Sequence, residues 1–258
     1  MHVIHAVRAG KVPEVTLGFW LIKITATTLG ETGGDALSMT LGLGYALSTA
    51  IFFAIFLAVV LAQIRATAFH PALYWAVIVA TTTAGTTMAD FADRSLGVGY
   101  AGGSLILFGL LAAVLVAWRV TLGSVSVNSI TTPKAETFYW ATILFSNTLG
   151  TALGDWLADD GGLGYEGGAV VFGAGLAVLA AVYSFTSASR TLLFWAAFIL
   201  TRPLGATLGD MLTKPVADGG FNLSRISSSG VIAAVIVLCI LILPQRPGVH
   251  PGQVSGTS

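Results

Sequence analysis

Apolar residues fall in eight long blocks along the chain, and four of these blocks carry the same landmarks. Uncharged stretches cover 43–62, 71–89, 95–118, 137–154, 167–189 and 226–245, while 15–38 and 191–212 begin apolar and are then interrupted by charge. Each is near or above the ~18–20 residues that cross a bilayer as a helix. Continuous runs exclude a membrane barrel, which requires alternating positions. In blocks 20–35 (WLIKITATTLGETGGD), 75–90 (WAVIVATTTAGTTMAD), 140–155 (WATILFSNTLGTALGD) and 195–210 (WAAFILTRPLGATLGD), a Gly stands ten residues after a Trp and an Asp fifteen after it. The registers begin at 20, 75, 140 and 195, so the offsets are 55, 65 and 55. That spacing is the mark of a duplicated pair of repeats, two halves related by a shift of 120 residues.

The predicted architecture is all-α and polytopic, with eight transmembrane helices from four parallel two-helix repeats in two related halves. The first half is 1–125 (repeats 1 and 2), the second 126–245 (repeats 3 and 4), and 246–258 is a disordered tail. The first helix of each repeat carries the Trp-Gly-Asp register and the second is apolar filler, such as 51–62 (IFFAIFLAVVLA). Two crossings per repeat make all four motif helices run in one direction, which gathers their Asp residues on one side.

Composition agrees: 55% of the 258 residues are apolar and 9% charged, against roughly 25% charged in soluble domains. Net charge is zero but sorted. Arg8, Lys11, Arg65, Arg119, Lys134, Arg190 and Arg246 sit at one end of the spans with only Glu14 and Glu136 among them, and the other ten of the twelve acids lie in or after the motif segments. The positive-inside rule then expects both termini in the cytoplasm, in a bacterial inner membrane. The N-terminus is too polar for a signal peptide, so the first span is expected to direct insertion uncleaved. Cys239 is the single cysteine and excludes an intrachain disulfide or a cysteine metal cluster, while the four His lie outside the spans and argue against haem ligation within them. No cofactor is expected, and sparse, scattered basic residues exclude nucleic acid as a partner.

Two features carry candidate chemistry. Hydroxyl and small residues surround each central Gly: Thr27 and Thr28 by Gly30, Thr83 and Thr86 by Gly85, Asn147 and Thr148 by Gly150, Thr201 and Pro203 by Gly205. They serve either close helix packing or a polar path, since small residues let backbones approach and Thr can bond its own helix carbonyls. The second feature is charge at membrane depth. Lys23, Thr27, Glu31 and Asp35 recur every four residues, one polar stripe about 18 Å long on a helix. The matching stripes are Thr83, Thr86, Asp90, Arg94 and Thr148, Thr151, Asp155, Asp159, while copy four has Arg202 and Pro203 upstream of Asp210 and Lys214. Charge in hydrocarbon costs about 2.5–3.5 kcal/mol per residue even on insertion scales, so such groups face a bundle interior or a watery path. Lys23 is expected to pair with a carboxylate. Helix capping by the four Asp is the structural alternative, because glycine clusters follow each one closely. Pro203 and the Gly30, Gly33, Gly34 group predict kinked or broken helices near mid-membrane.

The fourfold two-helix unit, met over residues 12–243, resembles a family of bacterial integral membrane proteins built from four copies of a membrane repeat of unknown function. The resemblance implies a multi-pass protein whose function is either unassigned or transport-related, and it supplies no substrate. Copy four, with Thr201-Arg202-Pro203, departs most from the pattern.

Read from the residues, the function expected is transport of a cation or small cationic solute. Glu31, Asp35, Asp90, Asp155 and Asp210 are the candidate ligands or proton carriers, and Lys23 and Arg202 the internal counter-charges. Hard oxygen ligands suit Mn²⁺, Mg²⁺ or Na⁺. A pseudo-fourfold channel is the alternative, because TTLGETGGD (28–35 with its preceding Thr27) superficially resembles a potassium filter, although the other copies lack Gly-Tyr-Gly. A non-transporting membrane enzyme or structural protein is the third, disfavoured as an enzyme because no nucleophile constellation, HExxH or phosphate loop is present. The expected partners are the bilayer and the solute, with homo-oligomerisation compatible with the pattern.

Overall fold

In a computed structural model, which describes residues 10–127, 130 and 132–248, the described residues are helical apart from short turns and one isolated β-bridge. The eight α-helices are α1 (Leu17–Asp35), α2 (Gly44–Arg65), α3 (Pro71–Asp90), α4 (Tyr100–Leu122), α5 (Pro133–Asp155), α6 (Gly164–Phe185), α7 (Arg190–Thr213) and α8 (Arg225–Ile242). Their starts follow local chemistry. Thr16, Thr132 and Ser189 accept from the backbone N–H three residues on, and Pro71 and Pro133 occupy first-turn positions where no donor is missed. After α1, α3 and α5 the chain makes a π-helical turn (Ala36–Thr40, Phe91–Ser95, Trp156–Asp160) and reverses through a Gly-x-Gly step. Gly97 and Gly99, with φ of 69° and 73°, show why that step needs glycine.

The odd-numbered helices form a closed inner ring: α1 packs on α3, α3 on α5, α5 on α7, and α7 back on α1. Each even-numbered helix packs outside, against the motif helix of the next repeat: α2 on α3, α4 on α5, α6 on α7 and α8 on α1. α8 thus closes the circle that the chain opened with α1. Five helices, α2, α4, α6, α7 and α8, are long and apolar enough to cross a membrane. Those on the outside present Leu105, Phe108, Val178 and Leu241 outward, as a lipid-facing surface would. The sequence predicts eight spans. The motif helices α1, α3 and α5 fall short of that hydropathy because of their hydroxyl and charged residues, and these are buried against neighbouring helices.

The ring is held at equivalent positions in all four repeats. A Cβ on Gly30 would overlap Thr82, one on Gly85 would press on Asn147 and Thr148, one on Gly150 would overlap Arg202, and one on Gly205 would overlap Thr27. Counted from each Trp, the Gly at position 10 always receives position 7 of the next motif helix. The small residue is therefore a packing device, which lets backbones approach where no water drives association. The Trp has its own fourfold role. Phe19 contacts Trp75 with ring centroids 5.3 Å apart, Tyr74 contacts Trp140 at 5.5 Å, Tyr139 contacts Trp195 at 6.1 Å and Phe194 contacts Trp20 at 5.7 Å. Tyr74 and Tyr139 also share a hydrogen bond of 2.7 Å between their hydroxyls. This aromatic layer closes one end of the ring, and the four Asp stand at the other.

Three expectations change. α1 and α7 run unbroken past Gly30 and Pro203; α1 departs from α geometry only after Asp35, in a π turn, and α7 stays α-helical to Thr213. Lys11, read only as part of a basic face, donates to the carbonyls of Gln63, Ile64 and Ala66 at the end of α2 and pairs with Glu136 at 2.5 Å. The start of the expected tail is ordered: Pro13 and Pro247 form an antiparallel bridge, with Glu14 N–H donating to Arg246 O and Gly248 N–H to Val12 O, both at 2.8 Å. Residues 249–258, and Arg8, lie outside the described residues.

Candidate functional site in the ring interior

Inward-facing residues recur every four positions, so the ring interior is a stack of layers about 6 Å apart. Next to the aromatic end are Lys23, Ile78, Ile143 and Phe198; then Thr27, Thr82, Asn147 and Arg202; then Glu31, Thr86, Thr151 and Ala206; then Asp35, Asp90, Asp155 and Asp210. All sixteen are buried.

The Asp layer is twofold. Arg94 joins Asp90 (Nε to Oδ1, 3.1 Å) to Asp155 (Nη2 to Oδ2, 3.4 Å). Lys214 joins Asp210 (Nζ to Oδ1, 3.4 Å) to Asp35 (Nζ to Oδ2, 3.8 Å), with Arg225 Nε 3.4 Å from the same Asp35 oxygen. Arg94 and Lys214 are 120 residues apart, the shift that relates the halves. The Asp residues do not cap: the helix continues past Asp35, Asp90 and Asp155 with no side-chain bond to the next turn.

Further inside, twofold symmetry ends. Arg202 reaches across the axis and its Nη2 meets Glu31 Oε2 at 3.0 Å, Thr86 Oγ1 at 2.5 Å and Thr151 Oγ1 at 2.5 Å, one residue from each of the other three motif helices. Lys23, expected to pair with a carboxylate, instead donates to Asn147 Oδ1 at 3.4 Å and lies 4.2 Å from the centre of the Phe198 ring. The reason is reach: Glu31 stands two turns away on the same helix and is taken by Arg202. Asn147 is oriented by its own bond from Nδ2 to Thr81 Oγ1, 3.1 Å.

Of the residues singled out from sequence, Thr27, Glu31, Asp35, Thr86, Asp90, Asn147, Asp155, Arg202, Asp210 and Lys23 face this interior. Thr28, Thr83 and Thr148 are buried too, but their hydroxyls bond the carbonyls of Ile24, Val79 and Leu144 on their own helices. Thr82 belongs in the layers in place of Thr83, Thr151 lies in them as its stripe predicts, and the bridging role of Arg94 and Lys214 completes them. Alignment of the four copies at positions 7, 11 and 19 after the Trp was the signal that finds all four. Among the five candidate ligands, Glu31, Asp35 and Asp210 have carboxylate oxygens within 4.8 Å of one another and could hold a metal ion. Asp90 and Asp155 are brought together by Arg94.

Fold and interior define an all-helical, internally fourfold bundle with membrane-compatible outer helices and a buried charged core. The chain belongs to the DUF347 family, a repeat of unknown function, which matches it four times, at residues 18–69, 73–123, 138–189 and 193–245. No curated protein and no solved structure matches the chain.

Proposed function

We propose that the protein is a multi-pass transporter of a cation or small cationic solute, a hard divalent metal included. In this reading all eight helices cross a bacterial inner membrane, with the aromatic end of the ring and both termini on the cytoplasmic side. The observation that carries it is the convergence of Glu31, Asp35 and Asp210 within 4.8 Å inside an apolar bundle. Carboxylate oxygens at this spacing suit Mg²⁺, Mn²⁺ or an ammonium group. Lys214 supports the same reading, since its ammonium already sits between Asp35 and Asp210 as a tethered cation. An arriving cation would take its place, and Arg202 would hold Glu31 until then. The aromatic layer, filled by side chains, favours a carrier over an open pore.

The sorted charge supports the orientation. Lys11, Arg65, Arg119, Lys134, Arg190 and Arg246 gather at the aromatic end, as positive-inside predicts, while at the other end the acids outnumber Arg94, Lys214 and Arg225. Purified protein in liposomes tests the function through uptake of Mn²⁺, Mg²⁺, Na⁺ and tetramethylammonium. Asp35→Asn and Asp210→Asn should each lower flux by roughly tenfold or more, the scale of losing one charged ligand, and Lys214→Gln should weaken coupling while cation binding persists. Wild-type flux in both Asp variants overturns the proposal.

A further inference from the structure

The ring's five carboxylates equal its five cations in number, but they are shared unevenly: Arg202 and Lys23 together have one carboxylate, Glu31, in contact. Arg202 and Lys23 are each fully buried. The Asp layer is occupied by Arg94, Lys214 and Arg225, which leaves Glu31 as the carboxylate in contact with either of them. Arg202 has five N–H donors in a rigid fork. Its three bonds all go to Nη2, and Nε and Nη1, buried, have no hydrogen-bond partner. Lys23 Nζ meets one amide oxygen at the long distance of 3.4 Å and an aromatic face. Thr82, level with Arg202, adds a buried hydroxyl without a partner. Buried guanidinium and ammonium groups are tolerated when an anion compensates them, because their water has been stripped away.

We propose that the ring binds a small monovalent anion, a halide or a carboxylate, between Arg202 Nε and Nη1 and Lys23 Nζ. Both chemistries offer a compact negative group to a planar fork and a point charge. The site uses atoms distinct from the cation cluster, yet Glu31 links the two. An anion on Arg202 competes with Glu31 for the guanidinium and frees that carboxylate toward Asp35 and Asp210. This linkage rests on the cation reading; the anion site does not.

The test uses the full-length protein in detergent, in sulfate buffer without transportable metal. Bromide, chloride and acetate should each raise Tm, by roughly 3–6 °C at ten times Kd. Arg202→Gln and Lys23→Met should remove the shift. Absence of any shift in the wild type, or an undiminished shift in both variants, overturns the proposal. Should either variant fail to fold, the anomalous signal of bromide in wild-type crystals decides: a peak beside Arg202 and Lys23 supports the site, and bromide found only elsewhere overturns it. Bromide binding without acetate binding identifies a free halide as the ligand. Acetate binding that bromide displaces identifies the shared carboxylate chemistry. Wild-type cation flux in both Asp35→Asn and Asp210→Asn, with anion protection intact, would remove the cation reading alone.

Discussion

Arg202 Nη2 lies 3.0 Å from Glu31 Oε2 across the ring axis, 171 residues away in the chain, with both side chains shut off from solvent. A buried pair of this kind adds little net stability, but removing one partner strands the other charge at a cost of about 3–5 kcal/mol. Glu31→Gln should therefore lower thermal stability sharply, and the double variant Glu31→Gln with Arg202→Gln should recover much of the loss. Tm measured in detergent for the single and double variants checks the coupling; additive losses would contradict it.

The ring glycines differ from their neighbours by a clear steric test. A Cβ on Gly30 would overlap Thr82 side chain and backbone, whereas one on Gly33 would come no nearer than 4.0 Å to Ser229 Oγ. Gly30→Ala should cost about 1–3 kcal/mol through overpacking, and Gly33→Ala should be neutral or mildly stabilising by helix propensity. Equal Tm values for the two variants would show that the interhelical contact is not tight.

At the aromatic end, Tyr74 and Tyr139 bond each other through their hydroxyls in full burial. Tyr74→Phe leaves one hydroxyl unpaired and should cost about 1–3 kcal/mol, while the double Phe variant should cost less than the sum of the singles. A double-mutant cycle by chemical or thermal denaturation reads this coupling directly.

Asp93 lies in the reversal between α3 and α4, close against Gly103. Burial raises its pKa to about 6, only partly opposed by Arg94. The folded state therefore keeps this proton where the unfolded chain has lost it, and the contribution to stability falls as pH rises from about 4 to about 6. Above that window the ionised carboxylate costs about 1–2 kcal/mol after allowance for solvent near the end of the bundle. Asp93→Asn should be more stable than the wild type at pH 7.5 and equal to it near pH 4. Stability profiles of the two proteins that stay parallel across this range would contradict the assignment.

The register of Trp, Gly and Asp made the four repeats, the helical class and the gathering of the Asp at one end legible without coordinates. The membrane character was legible too, in the continuous apolar blocks. A helix period specifies which residues share a face, so the stripe Lys23, Thr27, Glu31, Asp35 could be named in advance. It could not separate Thr82 from Thr83, adjacent in sequence but differing in whether the hydroxyl bonds its own helix or faces the ring.

What the sequence determined, then, is local: the helices, their inward positions, their repeat and their charge polarity, all set by spacing and burial of the chain against itself. Tertiary structure alone decided the partners. Closure of α7 onto α1 completes the four equivalent Gly contacts, because a ring joins residues that are far apart in sequence. The same closure lets Lys214 reach Asp35, and lets Arg202 take Glu31 and leave Lys23 to an amide and an aromatic ring. Charges pair by distance in space, and that distance exists only once the ring has formed.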